Sequence, residues 1–269
     1  MKRIFKSPEP PCLNDYREAN PADSWERMRN NAEGFGQAVY DCLAELALYD
    51  QGGLCAYCEL DVSRQLNTFR VDHFVAKSLS NISTNWGLEW ENMLGCCKGG
   101  ENKYATVPNH YEKPRLANLS CDAHVNRLVQ KDRSKLQLDD RRGAVLNPLE
   151  ITIFPNLFQF DTDLGELQPH PQRCAAVTIE DNQHATTFEL VDHTIRVFNL
   201  NCPRLCTARK DRFDELEDML EDKINSGKTP QDVRTELCRQ LLKPPYPPFF
   251  TVSRLWLGAI AEAFLQEEL

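Results

Sequence analysis

The sequence predicts an α+β protein that is mainly helical and carries a few short strands. Apolar residues recur at helical spacing in several stretches, whereas runs rich in β-formers are short and are bounded by turn residues. Five of the eleven cysteines lie between positions 55 and 121, in a largely loop-rich part of the chain. With 269 residues, 41% of them hydrophobic and 26% charged, the chain can bury a core, and collagen-like and wholly disordered classes are excluded.

The N-terminal region, residues 1–50, is predicted to be an extended arm followed by two helices. Three prolines among the first eleven residues favour the arm. The helices are predicted over 22–32 and 36–49, and Gly52-Gly53 ends the second one.

The middle region, residues 51–143, begins with predicted short strands over 54–60 and 69–75. The segment 80–120 is rich in Asn, Gly and Pro and is predicted to be mostly loop. Apolar spacing then predicts a helix over 121–137.

The C-terminal region, residues 144–269, is predicted to be α+β and mostly helical. A strand within 151–160, a turn at 163–165 and a second short strand come first, and another strand is predicted over 187–191. Helices are predicted over 203–225, 230–242 and 252–268, and Thr229-Pro230 marks the start of the second of these.

The chain is expected in the cytoplasm. It has no apolar run near the roughly 18 residues of a membrane span, and no apolar segment follows its basic start. Disulfides are not expected in a reducing compartment. The six scattered cysteines are therefore interpreted as small buried hydrophobic residues: Cys12, Cys42, Cys174, Cys202, Cys206 and Cys238.

The net charge of −9 argues against a nucleic-acid partner, but the charge is unevenly distributed. Residues 61–145 hold 13 basic and 10 acidic side chains, whereas residues 146–269 hold 12 basic and 20 acidic ones. The positive part therefore coincides with most of the cysteine cluster. This excess permits contact with phosphate groups but cannot by itself provide strong DNA affinity.

The clustered cysteines indicate a metal site. Cys55-x2-Cys58 can bind one tetrahedral zinc from a tight turn, with two further ligands from elsewhere. A thiol redox site uses the same spacing, but the βαβ pattern that normally surrounds it is not evident. Only one of the neighbours Cys96 and Cys97 is expected to reach the metal, because adjacent residues of an extended segment point to opposite sides.

Asp72-His73 pairs an oxygen ligand for a divalent cation with an imidazole that can remove a proton from water. The dipeptide is unspecific by itself, because Asp192-His193 repeats it without a neighbouring cysteine or asparagine. The position of His73 between the two halves of the cysteine cluster distinguishes it.

The order of these motifs resembles a zinc-containing HNH endonuclease of the ββα-metal type. In that family a hairpin carries His on its first strand and Asn on its second, and a helix completes the metal site. The second cysteine knuckle begins five residues after the Asn, which selects Cys97 after Asn92, but Gly100 stands where the partner cysteine is expected.

With this departure the sequence resembles a narrower family, the HNH proteins that accompany retrons and Septu-type anti-phage systems and are encoded beside an ABC-type ATPase. There an insertion splits the knuckle and its second cysteine opens the helix, as Cys121-Asp122 would do here. The resemblance covers about residues 50–210.

The resemblance implies roles for individual residues. His73 would be the general base, Asn92 would hold the hairpin loop, and Asp72 would bind the catalytic Mg²⁺ or Mn²⁺. His124 is preferred as the last ligand of that cation, with Asn102 as the competitor. The structural zinc would be bound by Cys55, Cys58, Cys97 and Cys121.

The activity implied is hydrolysis of DNA phosphodiester bonds, as the nuclease effector of an anti-phage defence system acting with an ATPase in a hetero-oligomer. The acidic C-terminal region is expected to bind the ATPase, although its helices could merely complete the core. Two other functions stay open: a non-catalytic zinc-binding interaction module, and a thiol oxidoreductase using Cys55 and Cys58.

Overall fold

The computed structural model describes residues 1–31, 35–131 and 138–268. Its N-terminal part contains the helices α1 (Pro11–Ala19), α2 (Trp25–Arg29) and α3 (Phe35–Asp50). The predicted extended arm is followed by α1, which the sequence analysis missed, although a proline at the first helical position suits a helix start. The helix predicted over 22–32 is shorter, since α2 has five residues, and residue 32 lies outside the described part. The prediction of α3 is confirmed.

The interpretation of Cys12 and Cys42 as free residues was wrong. The two form a disulfide between α1 and α3, because these helices pack side by side and bring the sulfurs together. The other four scattered cysteines are free, and three of them are buried; Cys206 is half-buried.

The middle region forms an antiparallel hairpin with a helix packed on it. Strand β1 (Phe69–His73) pairs with β2 (Met93–Cys97), and α4 (Cys121–Lys131) contacts β2. Residues 132–137 of the predicted helix lie outside the described part. The strand predicted over 54–60 is instead a tight turn: the Glu59 amide donates to the Cys55 carbonyl at 3.1 Å, and Glu59 has a φ of 63°.

Strand β2 contains Gly95 because two other groups approach it closely. A Cβ at this position would lie 2.7 Å from the Phe69 ring. The Gln51 amide bonds both backbone groups of Gly95, at 2.7 and 2.8 Å. Gln51 therefore joins the end of α3 to the hairpin.

The C-terminal region begins with a second hairpin and continues as helices. Strands β3 (Phe158–Asp161) and β4 (Glu166–Pro169) confirm the predicted pair. The helices are α5 (Pro171–Ala175), α6 (Thr187–Val197), α7 (Pro203–Asn225), α8 (Pro230–Leu241), α9 (Phe250–Leu257) and α10 (Ala259–Glu268).

Two of the predictions for this region were wrong. The strand expected over 187–191 is the first part of α6, whose start is capped by the Thr186 hydroxyl accepting from the Glu189 amide at 3.1 Å. The single helix expected over 252–268 is divided at Gly258, which has a φ of 61°. The predicted Thr229 cap is confirmed, since its hydroxyl accepts from the Asp232 amide at 3.2 Å.

The buried apolar side chains form two clusters. The larger one lies under the β1–β2 hairpin and includes the cysteine knuckle, α6 and the first part of α7. The smaller one joins the second half of α7 to α8, α9 and α10. None of the described helices is long and apolar enough to cross a membrane.

Candidate active site and metal centre

Four cysteines converge beneath the hairpin. Cys55 and Cys58 come from the turn after α3, Cys97 from the end of β2, and Cys121 from the start of α4. All four are buried, and their sulfurs lie within 4.8 Å of one another. Two thiols from separate elements complete the pair from the turn, which favours a metal site over a redox pair of two cysteines.

The spacing of the sulfurs fits a zinc ion. With Zn–S bonds of about 2.3 Å, a tetrahedral site separates neighbouring sulfurs by about 3.8 Å. The sulfur–sulfur distances of three pairs, Cys58–Cys97, Cys97–Cys121 and Cys55–Cys121, are 3.6, 3.7 and 3.8 Å. This donor set could hold a structural zinc.

Strand geometry explains why Cys97 joins the cluster and Cys96 does not. The two residues are consecutive in β2, so their side chains leave opposite faces of the hairpin. Cys96 is fully buried on the other face. Cys97 therefore belongs to the cysteine group, and its role as a zinc ligand stays a prediction.

The insertion between Cys97 and Cys121 closes on itself. The Ser120 amide donates to the Gly99 carbonyl at 3.0 Å, and a Cβ on Gly99 would meet the Ser120 carbonyl oxygen at 2.2 Å. The chain thus leaves and re-enters the knuckle at one point. An insertion here can separate the cysteines in sequence without separating them in space.

A cavity of about 510 Å³ lies beside the hairpin and contains the Asp-His pair. Asp72 and His73 line it from β1, Asp122 and Asn126 from α4, and Arg141 from the segment after that helix. All five side chains can bind a cation, a proton or a phosphate group.

The geometry of His73 suits a general base. Its Nε2 lies 3.0 Å from the Gly87 carbonyl oxygen, which can only accept a hydrogen bond, so we assign the proton to Nε2. In the neutral ring, Nδ1 then keeps its lone pair. The Trp25 ring packs edge-on at 4.7 Å and fixes the imidazole. Burial lowers the pKa of His73 to about 4, so the ring is neutral near pH 7.

Asp72 is buried and already ion-paired. Its Oδ2 accepts from the Tyr57 hydroxyl at 2.5 Å and from Arg141 at 2.6 Å, and its Oδ1 lies 3.5 Å from Arg141. Burial by itself would raise the pKa of Asp72, but the charge of Arg141 and the hydrogen bonds with Arg141, Tyr57 and Asp122 together outweigh burial and hold this pKa below its usual value.

Helix α4 presents Asp122 and Asn126 to the cavity. Asp122 accepts from the Asn126 amide at 3.0 Å and lies 3.3 Å from Arg70. Burial, together with the nearby Asp72 carboxylate, raises the pKa of Asp122 to about 7. Asp122 therefore keeps its proton to a higher pH than Asp72 does.

The structure does not bring His124 or Asn102 to Asp72. The Nδ1 of His124 lies 2.8 Å from the Val197 carbonyl oxygen in α6. Asn102 lies in the insertion and donates to the carbonyl of Asn67, which precedes β1, at 3.4 Å. Neither residue lines the cavity, so the preference for His124 as a ligand gains no support from this geometry.

Asn92 holds the segment that connects the strands. Its side-chain oxygen accepts from the Val75 amide at 2.7 Å, and its amide donates to the Val75 and Trp86 carbonyls at 2.9 and 2.7 Å. Trp86 precedes Gly87, the acceptor for His73. Asn92 therefore stabilises the backbone that orients the imidazole.

Sequence reasoning missed Tyr57, Asp122 and Arg141. Tyr57 lies between the two cysteines of the turn, and Asp122 directly follows Cys121, so both stood beside recognised motifs. Arg141 had no such signal, because its partner Asp72 is 69 residues away.

The hairpin with its packed helix and the buried cysteine group define the class of protein, a mainly helical α+β protein with an HNH-type ββα core. No family model matches the sequence. The chain is 37% identical over 212 residues to a protein of Escherichia coli described as "Retron Ec83 putative HNH endonuclease", and the match spans 78% of both chains. The chain belongs to this family of retron HNH endonucleases.

Proposed function

We propose that this chain is a metal-dependent HNH endonuclease that hydrolyses phosphodiester bonds in DNA. It would act as the nuclease effector of an anti-phage defence system, together with an ABC-type ATPase. The observation that carries the proposal is the hydrogen bond from His73 Nε2 to the Gly87 carbonyl, which leaves Nδ1 free as a base beside two carboxylates.

In this proposal His73 Nδ1 accepts a proton from the water that attacks the scissile phosphorus. Asn92 is a positioning residue, because it bonds the backbone on either side of the loop that carries Gly87. Trp25 limits rotation of the ring. The base is thereby held in one orientation before substrate binds.

The oxygen atoms of Asp72, Asp122 and Asn126 would hold the catalytic Mg²⁺ or Mn²⁺. They are hard donors on two facing elements, and this chemistry fits such a cation. When bound, the cation would stabilise negative charge on the phosphate oxygens. Zinc, held by the four cysteines, would fix the end of β2 to the start of α4. Asp72 stands on β1, the partner strand of β2, and the other two ligands stand on α4.

The insertion and α4 supply basic groups for the DNA backbone. Lys103, Lys113 and Arg115 lie exposed on the insertion, and Arg127 of α4 donates to the Leu116 carbonyl at 3.0 Å. Tyr104 is 79% exposed next to Lys103. Cations with an interleaved aromatic ring suit phosphate contact and base stacking.

The ATPase partner is proposed from the family resemblance and from the surface of α7. The acidic residues of this helix are exposed, among them Asp214, Asp218 and Asp222. Among the residues that the structure describes, ion pairs neutralise some of them, for example Asp214 through Lys210 at 3.3 Å. A negative helix face of this kind can bind a basic surface of a partner.

The proposal is tested by incubating the purified full-length chain, with and without the ATPase, with supercoiled plasmid and Mg²⁺ or Mn²⁺. We expect nicking or linearisation, and His73→Ala should lower its rate by about 100-fold or more. His193→Ala is the matched control, because His193 also follows an aspartate. His193 lies in α6, contacts the Ala144 carbonyl and does not line the cavity. A His73→Ala rate above about a tenth of wild type would refute the assignment of the base.

The ion pair between Asp72 and Arg141 favours a second candidate function. A carboxylate that is already neutralised could be purely structural, and the chain would then be a non-catalytic zinc-binding interaction module. Such a module would bind DNA or protein and keep its zinc but would not cut plasmid under any of these conditions.

A further inference from the structure

The Asp72 carboxylate, which would have to be free to bind a metal ion, already pairs with the guanidinium group of Arg141. Arg141 contacts both carboxylate oxygens, Oδ2 at 2.6 Å and Oδ1 at 3.5 Å. Both side chains are buried, at 7% and 6% exposure, so solvent screens their attraction little. A divalent cation that binds Asp72 must therefore displace or weaken this ion pair.

Asp122 is paired in the same way. Arg70 lies 3.3 Å from its Oδ2 and Arg141 lies 3.5 Å from its Oδ1. The two carboxylates of the cavity thus each face a guanidinium group, although Arg70 also pairs with Glu101 at 2.7 Å. A carboxylate that already pairs with a guanidinium attracts a divalent cation less strongly than a free carboxylate does.

Arg141 does not use all of its donors in this arrangement. Within the described residues, its buried Nε has no hydrogen-bond partner. A buried donor without a partner is energetically unfavourable, so another set of partners can compete. The forked guanidinium matches a phosphate group as well as a carboxylate.

We propose that Arg141 and the catalytic cation compete for Asp72, and that a phosphate of the bound nucleic acid resolves the competition by accepting the guanidinium. The inference rests on the proposed function and deepens it. Arg141 exchanges Asp72 for the phosphate, and the released carboxylate oxygen becomes available to the cation. Cation and substrate then bind cooperatively, each raising the affinity for the other by the same factor.

The first test measures Mn²⁺ binding to the zinc-loaded full-length chain without DNA, by electron paramagnetic resonance of free Mn²⁺. Arg141→Gln should bind Mn²⁺ at least about tenfold more tightly than wild type, which corresponds to about 1.4 kcal/mol. Arg142→Gln is the matched control, because Arg142 is exposed, pairs with Asp140 at 2.9 Å and does not line the cavity. Equal affinities of wild type and Arg141→Gln would overturn the proposal.

The second test repeats the titration with a short DNA duplex and the His73→Ala variant. DNA should raise the Mn²⁺ affinity of His73→Ala by about tenfold or more and that of His73→Ala/Arg141→Gln by much less. The same gain in both would show that Arg141 does not transfer to the phosphate, and no gain in either would also overturn the proposal.

The proposed nuclease activity and the proposed exchange of Arg141 can be refuted independently of each other. A wild-type chain that cuts DNA but binds Mn²⁺ as Arg141→Gln does would refute only the exchange. A chain that does not cut DNA while Arg141→Gln binds Mn²⁺ more tightly would refute the nuclease and leave the competition for Asp72 standing. If Arg141→Gln loses its zinc or its thermal transition, the duplex titration of His73→Ala decides, and no gain in Mn²⁺ affinity on adding DNA would then overturn the proposal.

Discussion

His73 and His193 both follow an aspartate in the sequence, yet their surroundings differ. His73 ends a strand, donates to the Gly87 carbonyl and is buried beside a cavity. His193 lies in α6 near His184, and both rings contact the Ala144 carbonyl at 2.9 Å. A dipeptide therefore indicates which groups are available, whereas the backbone acceptor decides which ring nitrogen can act as a base.

The low pKa of His73 has a measurable consequence. Burial disfavours the imidazolium and lowers this pKa to about 4, so the base stays unprotonated as the pH falls through the ordinary histidine range. We expect the cleavage rate at saturating Mn²⁺ to change little between pH 8 and about pH 5.5. An imidazole with the ordinary pKa of about 6.5 would lose roughly tenfold over the same range.

The measurement is the plasmid cleavage rate against pH, with zinc content checked at each point because thiolates lose metal when they are protonated. An inflection near pH 6.5 with zinc retained would contradict the buried, neutral imidazole. Saturating Mn²⁺ is needed because Asp122, with its pKa raised to about 7, changes charge in this range.

At the scale of elements, the hairpin and α4 serve the cysteine group and the cavity together. Strand β1 carries Asp72 and His73, β2 ends at Cys97, and α4 begins with Cys121 and Asp122. Residues of the two sites are therefore adjacent in α4, and in the hairpin they lie on paired strands. A zinc ion that holds β2 to α4 would set the separation of the cavity walls.

Replacing the two adjacent cysteines of β2 one at a time tests this arrangement. Cys97→Ser should remove the bound zinc and lower both the melting temperature and the cleavage rate, because metal binding and folding are linked in such sites. Cys96→Ser should keep its zinc, since Cys96 lies on the other face of the strand. Elemental analysis measures the zinc content of the two variants, and thermal melting measures their stability. Loss of zinc from Cys96→Ser together with retention of zinc in Cys97→Ser would contradict the structure.

At the scale of the whole molecule, the C-terminal helices both complete the main core and form a second one. Leu205 and Phe249 belong to the larger apolar cluster, and Arg204 donates to the Asn118 carbonyl and the Ser120 hydroxyl next to Cys121. Deleting the chain after residue 200 would therefore damage the cysteine site. The second half of α7, with α8 to α10, packs separately and leaves its acidic side chains exposed.

Charge reversal on α7 is thus the cleaner test of partner binding. The triple change Asp214→Lys, Asp218→Lys and Asp222→Lys should abolish co-purification with the ATPase, because a negative face that binds a basic surface becomes repulsive. Zinc content and melting temperature should change little, since all three residues are exposed. The control reverses exposed acidic residues elsewhere, namely Asp163, Glu180 and Glu267. Wild-type recovery of the ATPase with the α7 triple variant would refute the docking role.

Sequence spacing by itself predicted the parts of this protein that depend on neighbouring residues. Apolar periodicity identified α3, α7 and α8, and β-formers around a turn identified β3 and β4. Motif spacing, read with the family resemblance, selected the four cysteines and the Asp-His pair. Helix periodicity, strand alternation and the reach of two thiols from one turn are local properties, so they can be read without a fold.

Only the tertiary structure decided which groups surround His73 and Asp72. Arg141 reaches Asp72 across 69 residues, the helix α4 presents Asp122 instead of His124, and Cys12 meets Cys42 through the packing of α1 on α3. The start of α6 was predicted as a strand because β-formers such as Thr187 and Val191 occupy it, while its cap and its packing made it helical. These outcomes depend on long-range packing, because the partner that satisfies a buried charge is chosen by the approach of distant elements and leaves no local pattern in the sequence.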